Sequence, residues 1–95
     1  MAAYIILIRE KLRDEEAMAR YAKAAGDARG DHKITPLAFY GKHEVTEGAD
    51  ADGVVILSFP TMAEAKAWYD SPAYKEARAH RFQGADYRVI FVEGV

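Results

Sequence analysis

Residues 59–81 read FPTMAEAKAWYDSPAYKEARAHR, and this one run sets a strand end and two helix starts. After Phe59-Pro60, the Thr61 hydroxyl can accept from a first-turn amide while Glu64 reaches back to the amide of Thr61, the reciprocal pattern of a capping box. A helix is therefore predicted from about Met62. It continues through alanines of high helix propensity to Ser71, where Pro72 disfavours helical geometry in the residue before it and removes one amide from the ladder. Ser71 then becomes a fresh N-cap and Pro72 the first residue of a second helix. Trp68 and Tyr69, being adjacent, lie roughly 100° apart around the helix, so one faces the core and the other its edge.

Working outward, Val54–Phe59 reads as the strand that feeds this broken helix and Tyr87–Val92 as the strand that follows it. Upstream, Tyr4–Ile8 forms a first strand. Asp14 with Glu15 and Glu16 marks a helix N-terminus, and Ala17, Met18, Tyr21, Ala22 and Ala25 continue it as an apolar stripe that Gly26 is placed to end. A second strand spans Ile34–Tyr40. Pro36 cannot donate to a ladder, which gives that strand an edge or a bulge. Gly41–Gly53, GKHEVTEGADADG, is polar and acidic and reads as a long connection. The order βαββαβ predicts one α+β domain over residues 1–95, a ferredoxin-like antiparallel sheet with its helices on one face.

Composition narrows the function classes. A formal charge of −2, from 13 basic and 15 acidic residues, gives no electrostatic reason to expect nucleic acid or an anionic membrane as partner. The absence of cysteine removes disulfides, thiolate nucleophiles and zinc–thiolate sites. Ala2–Ile8 is apolar but too short to span a bilayer, and Arg9, Lys11 and Arg13 follow it instead of preceding it as in a secretion signal. Cytoplasmic residence is expected, with no membrane partner.

A sheet covered on one face alternates apolar and polar residues, whereas strands buried on both faces read as continuous apolar runs. Tyr4-Ile5-Ile6-Leu7-Ile8, Val54-Val55-Ile56-Leu57 and Val89-Ile90-Phe91-Val92 are of the second kind, yet two helices in this topology cover one face. Leaving the other face in water costs about 1.5 kcal/mol or more per side chain. The expected remedy is a homodimer packed through the sheet faces about a two-fold axis.

Phe59-Pro60, Ala65, Ala67-Trp68-Tyr69, Ser71-Pro72, Tyr74, Arg81 and the closing Val92-Glu93-Gly94 give the chain its likeness: it resembles the family known as domain of unknown function 1330, of the dimeric α+β barrel superfamily. The resemblance implies a ferredoxin-like monomer whose sheet meets its partner's to form a barrel. Members of that superfamily include cofactor-free monooxygenases, isomerases or lactone-processing enzymes, haem proteins, and proteins of no known activity. In several of them a small ligand lies between sheet and helices. Where relatives carry a Gly-Gly-Arg-like turn before the second strand, this chain has Gly30-Asp31-His32-Lys33.

The candidate ligand residues are accordingly Trp68, Tyr69, Tyr74, Arg81 and His32. The Arg81 guanidinium at the end of the broken helix could hold a carboxylate or enolate by paired hydrogen bonds; equally, Lys75, Arg78, His80 and Arg81 together oppose the negative end of a helix dipole. Trp68, Tyr69 and Tyr74 either line an apolar pocket or fill the core, and Tyr21 and Tyr40 share that ambiguity. His32, His43 and His80 lack metal-ligand spacing. Asp50 and Asp52 before Gly53 lack the later ligands of a calcium loop, and Ser58 and Ser71 have no nucleophile-elbow setting. No metal, cofactor or catalytic constellation is called for. Two readings stay open: a cofactor-independent enzyme, of monooxygenase or isomerase type, in which Arg81 holds an anion and a tyrosine or histidine moves a proton, and a non-catalytic binding or structural dimer.

Overall fold

The computed structural model describes all 95 residues. In chain order the elements are β1 (Ala3–Leu12), α1 (Glu15–Asp27), β2 (Thr35–Phe39), β3 (Gly53–Phe59), α2 (Met62–Tyr69), α3 (Pro72–Gly84) and β4 (Ala85–Glu93). The four strands form one antiparallel sheet in the order β2-β3-β1-β4. This is the ferredoxin-like α+β arrangement expected from βαββαβ, with the second helix broken in two.

The break falls at Asp70-Ser71-Pro72. Asp70 ends α2, the Ser71 hydroxyl accepts from the amide of Tyr74 as N-cap of α3, and Pro72 occupies the first turn, where its missing N–H costs nothing. Half of the predicted capping box forms at α2: the Glu64 amide donates to Thr61 Oγ1 at 3.1 Å, but the Glu64 carboxylate lies 3.5 Å from that same hydroxyl instead of on the Thr61 amide. Asp14 caps α1 as expected, accepting from the amides of Glu16 and Ala17. Gly26 does not end α1. The helix runs through it to Asp27, and the left-handed residue is Gly30, with φ of 50° in the following turn.

Pro36 sits on the edge strand β2, and the pairing with β3 slips between Pro36 and Ala38. β1 extends past the predicted Ile8 to Leu12, because β4 begins two residues earlier than its apolar run and pairs with the polar end of β1 across a bulge between Arg9 and Lys11.

The sheet register aligns Ile5 with Leu57 and Phe91, and Ile6 with Ile56 and Ile90. The first row faces the helices. Ala3, Ile5, Leu7, Val55, Leu57 and Phe59 pack there with Ala65, Trp68, Tyr74 and Ala77. The second row faces away, where no helix lies: Ile6, Ile8, Val54 and Ile56 are half-buried, and Ile90 and Val92 are 44% and 43% exposed. The apolar runs are thus two-faced in sequence but covered on one side by their own chain.

Between helices and sheet the packing is uneven. α2 rests on β1, β3 and β4, whereas α1 leans on α3 and touches the sheet little. Small side chains explain this. Ala17 is the one fully buried residue of α1, and Ala22, Ala25 and Gly26, on the side toward the sheet, are too short to reach it. The result is a space under α1. No helix is long and apolar enough to cross a membrane.

Candidate functional site

The space under α1 is a cavity of about 430 Å³, and eleven of its fifteen lining residues are hydrophobic. Leu7, Val55 and Leu57 form its floor on the sheet, Met18, Ala22, Ala25 and Gly26 its roof on α1, and Ile34, Pro36 and Phe39 its β2 side, with Trp68 entering from α2. Its polar wall residues are Arg9, Tyr21, Arg29 and Tyr40. That volume lies within the range of ordinary small-molecule sites.

Each polar group is held from behind. The Tyr21 hydroxyl lies 2.7 Å from that of Tyr74, and the Tyr40 hydroxyl 2.5 Å from that of Tyr87. Neither Tyr74 nor Tyr87 reaches the cavity. Arg9 pairs with Asp52 at 2.5 Å and lies over the Tyr40 ring, 4.8 Å from its centroid. Arg29, from the turn after α1, donates to the carbonyl of Ile34.

Tyr40 is the one non-glycine residue with positive φ, 54°. That left-handed conformation turns its ring back over Gly53, where an added Cβ would stand 2.6 Å from Tyr40 Cδ1. Gly53 therefore leaves room for the ring. Strained backbone of this kind persists where the surroundings over-determine it, here through Tyr87, Arg9 and Gly53 together.

Burial, first of all, holds the Tyr21, Tyr74 and Tyr87 hydroxyls above the usual tyrosine range. Tyr74 adds to the shift on Tyr21, while the Arg81 charge opposes it on both members of that pair. These groups stay protonated at neutral pH. They can donate hydrogen bonds but cannot serve as bases.

The predicted site residues divide accordingly. Trp68 lines the cavity, and its Nε1 is buried without an acceptor. Tyr74 is fully buried behind Tyr21, with its ring centroid 4.0 Å from that of Trp68. Tyr69 turns toward β4, edge-on to Phe91 at 5.1 Å and under the Arg78 guanidinium at 4.1 Å, outside the cavity. His32 lies half-buried in the connection from α1 to β2 and does not line the cavity either. His43 is exposed in the acidic loop, 2.9 Å from the Ala51 carbonyl, and His80 lies beside a separate shallow groove with Glu76.

Arg81 departs from the solvated, dipole-opposing reading. It is 2% exposed, its guanidinium lies 5.0 Å from the Tyr87 ring centroid, and its Nε has no hydrogen-bond partner. No carboxylate pairs with it. It stands behind the tyrosines, not in the cavity wall.

Arg9, Arg29 and Tyr87 were not singled out by sequence. Arg9 read as a flanking charge after the first apolar run; only the sheet register and the gap under α1 bring it to one place with Arg29.

The sheet order, the broken second helix and the cavity under α1 define a ferredoxin-like α+β protein with a small apolar chamber. The chain belongs to the family described as domain of unknown function (DUF1330), whose model matches residues 2–95. No curated protein matches it by sequence. Among solved structures it is similar to a protein of unknown function from Rhodopseudomonas palustris, at 22% identity over 99% of this chain and 82% of that one, with a TM-score of 0.72. A dimeric ferredoxin-like protein of unknown function from Thermobifida fusca matches at 13% identity over 99% and 92% of the two chains, with a TM-score of 0.67. SnoaB, a cofactor-independent oxygenase from Streptomyces nogalater, matches at 11% identity over 98% and 91%, with a TM-score of 0.60.

Proposed function

We propose that this protein binds a small, largely apolar organic molecule in the cavity under α1. The observation that carries this reading is a chamber of about 430 Å³ roofed by small side chains and fitted with polar groups that are each held by a neighbouring residue. A packing defect would have no reason to hold Tyr40 in a left-handed conformation or to leave Gly53 bare beneath it.

Binding is the better-supported activity. An enzyme that abstracts a proton needs a base within hydrogen-bond reach of the substrate, and the wall has no carboxylate or imidazole, while burial keeps Tyr21 neutral. Cofactor-independent oxygenation, the activity of the similar protein SnoaB, is a second reading: neutral donors could steady an oxyanion formed on the substrate.

The open sheet face belongs to a homodimer. Ile6, Ile56 and Ile90 lie in one row of the register, with Val54 and Val92 beside them, and a similar protein from Thermobifida fusca is dimeric. Sedimentation equilibrium at micromolar concentration should give twice the chain mass of 10.6 kDa, and Ile56→Glu should give a monomer. A folded wild-type monomer would refute the assembly.

The ligand reading is tested by thermal shift against a panel of small aromatic and branched metabolites, since a compound that binds only the folded state raises the melting temperature by mass action. Hits should lose their effect in Ala25→Phe, whose ring would occupy the cavity. A panel without hits at about 1 mM, or hits that Ala25→Phe leaves unchanged, would remove the cavity as the site.

A further inference from the structure

Three of the polar side chains at the cavity are donors only. Arg9 and Arg29 have no acceptor atoms, and the Trp68 indole only donates. The two tyrosines could in principle do either, so their orientation decides the character of the site.

Buried hydroxyl hydrogens require an acceptor. Tyr74 is fully buried, and its hydroxyl has one acceptor within reach, the Tyr21 oxygen at 2.7 Å. If Tyr21 donated instead, the Tyr74 hydrogen would be stranded in the core, whereas the Tyr21 hydrogen can turn into the cavity. The satisfied arrangement therefore has Tyr74 donating to Tyr21, which points its own hydrogen at the chamber.

On the other side the burial is partial: Tyr87 is half-buried and its hydroxyl lies 2.5 Å from the Tyr40 oxygen, so when Tyr87 donates, Tyr40, in the wall, directs its own hydrogen inward. Arginine charge stands near both pairs: Arg81 lies 5.0 Å from the Tyr87 ring centroid and Arg9 4.8 Å from that of Tyr40, and the Arg81 charge also acts on the Tyr21 and Tyr74 hydroxyls.

Charge agrees with direction. Asp52 at the rim is the one carboxylate paired with these guanidiniums. Arg29 and the buried Arg81 have none. Two buried N–H donors, Trp68 Nε1 and Arg81 Nε, lack acceptors, and no buried side-chain acceptor is left over. A deeply buried cation without a counter-charge is costly, and a nearby anion offsets the cost.

We infer that the occupant of the cavity is an organic carboxylate, with its apolar body under α1 and its oxygens accepting from the Tyr21 and Tyr40 hydroxyls. This rests on the ligand-binding reading above and adds to it the charge of the ligand. Tyr74 and Tyr87 are positioning residues that act through the wall tyrosines, and Arg81 supplies charge from behind them.

The test uses two probes of equal shape, naphthalene-2-carboxylate and naphthalene-2-carboxamide, titrated calorimetrically into the purified protein at neutral pH. The carboxylate should bind about tenfold tighter or more, since hydrogen bonds to a charged acceptor outweigh those to a neutral one. Tyr21→Phe and Tyr40→Phe should each lower carboxylate affinity about fivefold and leave carboxamide affinity within about twofold. Phenylalanine conserves the ring, and melting temperatures report whether each variant is folded; should one fail to fold, the wild-type comparison decides alone. Equal affinities, or a tighter carboxamide, would overturn the carboxylate assignment and leave the cavity as a binding site. A carboxylate preference untouched in both folded Phe variants would overturn the role of the hydroxyls. Failure of both probes to bind at about 1 mM would overturn the cavity reading and this inference with it.

Discussion

The tyrosines carry more of the site than any other residue type. Of six in the chain, Tyr21, Tyr74 and Tyr87 are held above the ordinary value of 10.0, chiefly by burial. A raised folded-state pKa means the native protein keeps protons that the unfolded chain releases, so its stabilising contribution is complete below the unfolded value and lost as pH rises beyond it. The melting temperature should be flat from about pH 7 to 9 and fall above about pH 10, with these three phenolates appearing in the ultraviolet spectrum only as the protein unfolds. Titration of all six near pH 10 in a folded protein would contradict the buried pairs. Trp68, Tyr74 and Arg81 were legible as candidates because they share one helical segment with apolar neighbours. Tyr40 was read only as pocket or core, and its pairing with Tyr87 was not legible, because what brings them together is a positive φ at Tyr40 and a bare Gly53 beneath its ring, and neither leaves a local pattern in sequence.

At the scale of elements, two glycines show how the roof of the cavity is set. The Gly84 carbonyl, at the end of α3, accepts from the amides of Arg13 and Asp14 at 2.7 and 3.0 Å and so pins the start of α1. A Cβ there would meet Met18 Cγ at 2.7 Å and the Met18 amide nitrogen at 3.1 Å, which forces the two helices apart. Gly26 has open space around its Cβ position and no positive φ. Gly84→Ala should cost about 1–3 kcal/mol, lowering the melting temperature by about 4 °C or more in a domain of this size. Gly26→Ala should stabilise by about 0.4–1 kcal/mol, since alanine restricts the unfolded chain and suits a helix interior. Calorimetric melting of both variants checks the pair, and a neutral Gly84→Ala or a destabilising Gly26→Ala would show that α1 is held differently. Sequence read Gly26 as a terminator because glycine after an apolar stripe is an ordinary stop signal. The chain instead spends that glycine inside the helix, where a bare backbone widens the space below. By contrast, Ser71-Pro72 broke α2 from α3 where predicted, since proline chemistry is local and tertiary contacts cannot override it.

For the whole molecule, the legible part was the layering. Two-faced apolar strands with helices enough for one face announced an open side, and the register delivers it as the row Ile6, Ile56 and Ile90. The cavity was not legible in the same way, because it arises from what α1 fails to do: it packs on α3 and leaves the sheet uncovered beneath small side chains. Helix-on-helix contact competes with helix-on-sheet contact, and sequence periodicity names the apolar stripe without saying which neighbour receives it. The chamber, with Arg9 and Arg29 in its wall, follows from that placement of α1.

The most direct test of that placement is a crystal structure of the protein soaked with naphthalene-2-carboxylate. The naphthyl ring should lie between α1 and the floor of Leu7, Val55 and Leu57, with the carboxylate within hydrogen-bond distance of the Tyr21 and Tyr40 hydroxyls. A collapsed α1 resting on those three floor residues, with the probe elsewhere or unbound, would contradict the account.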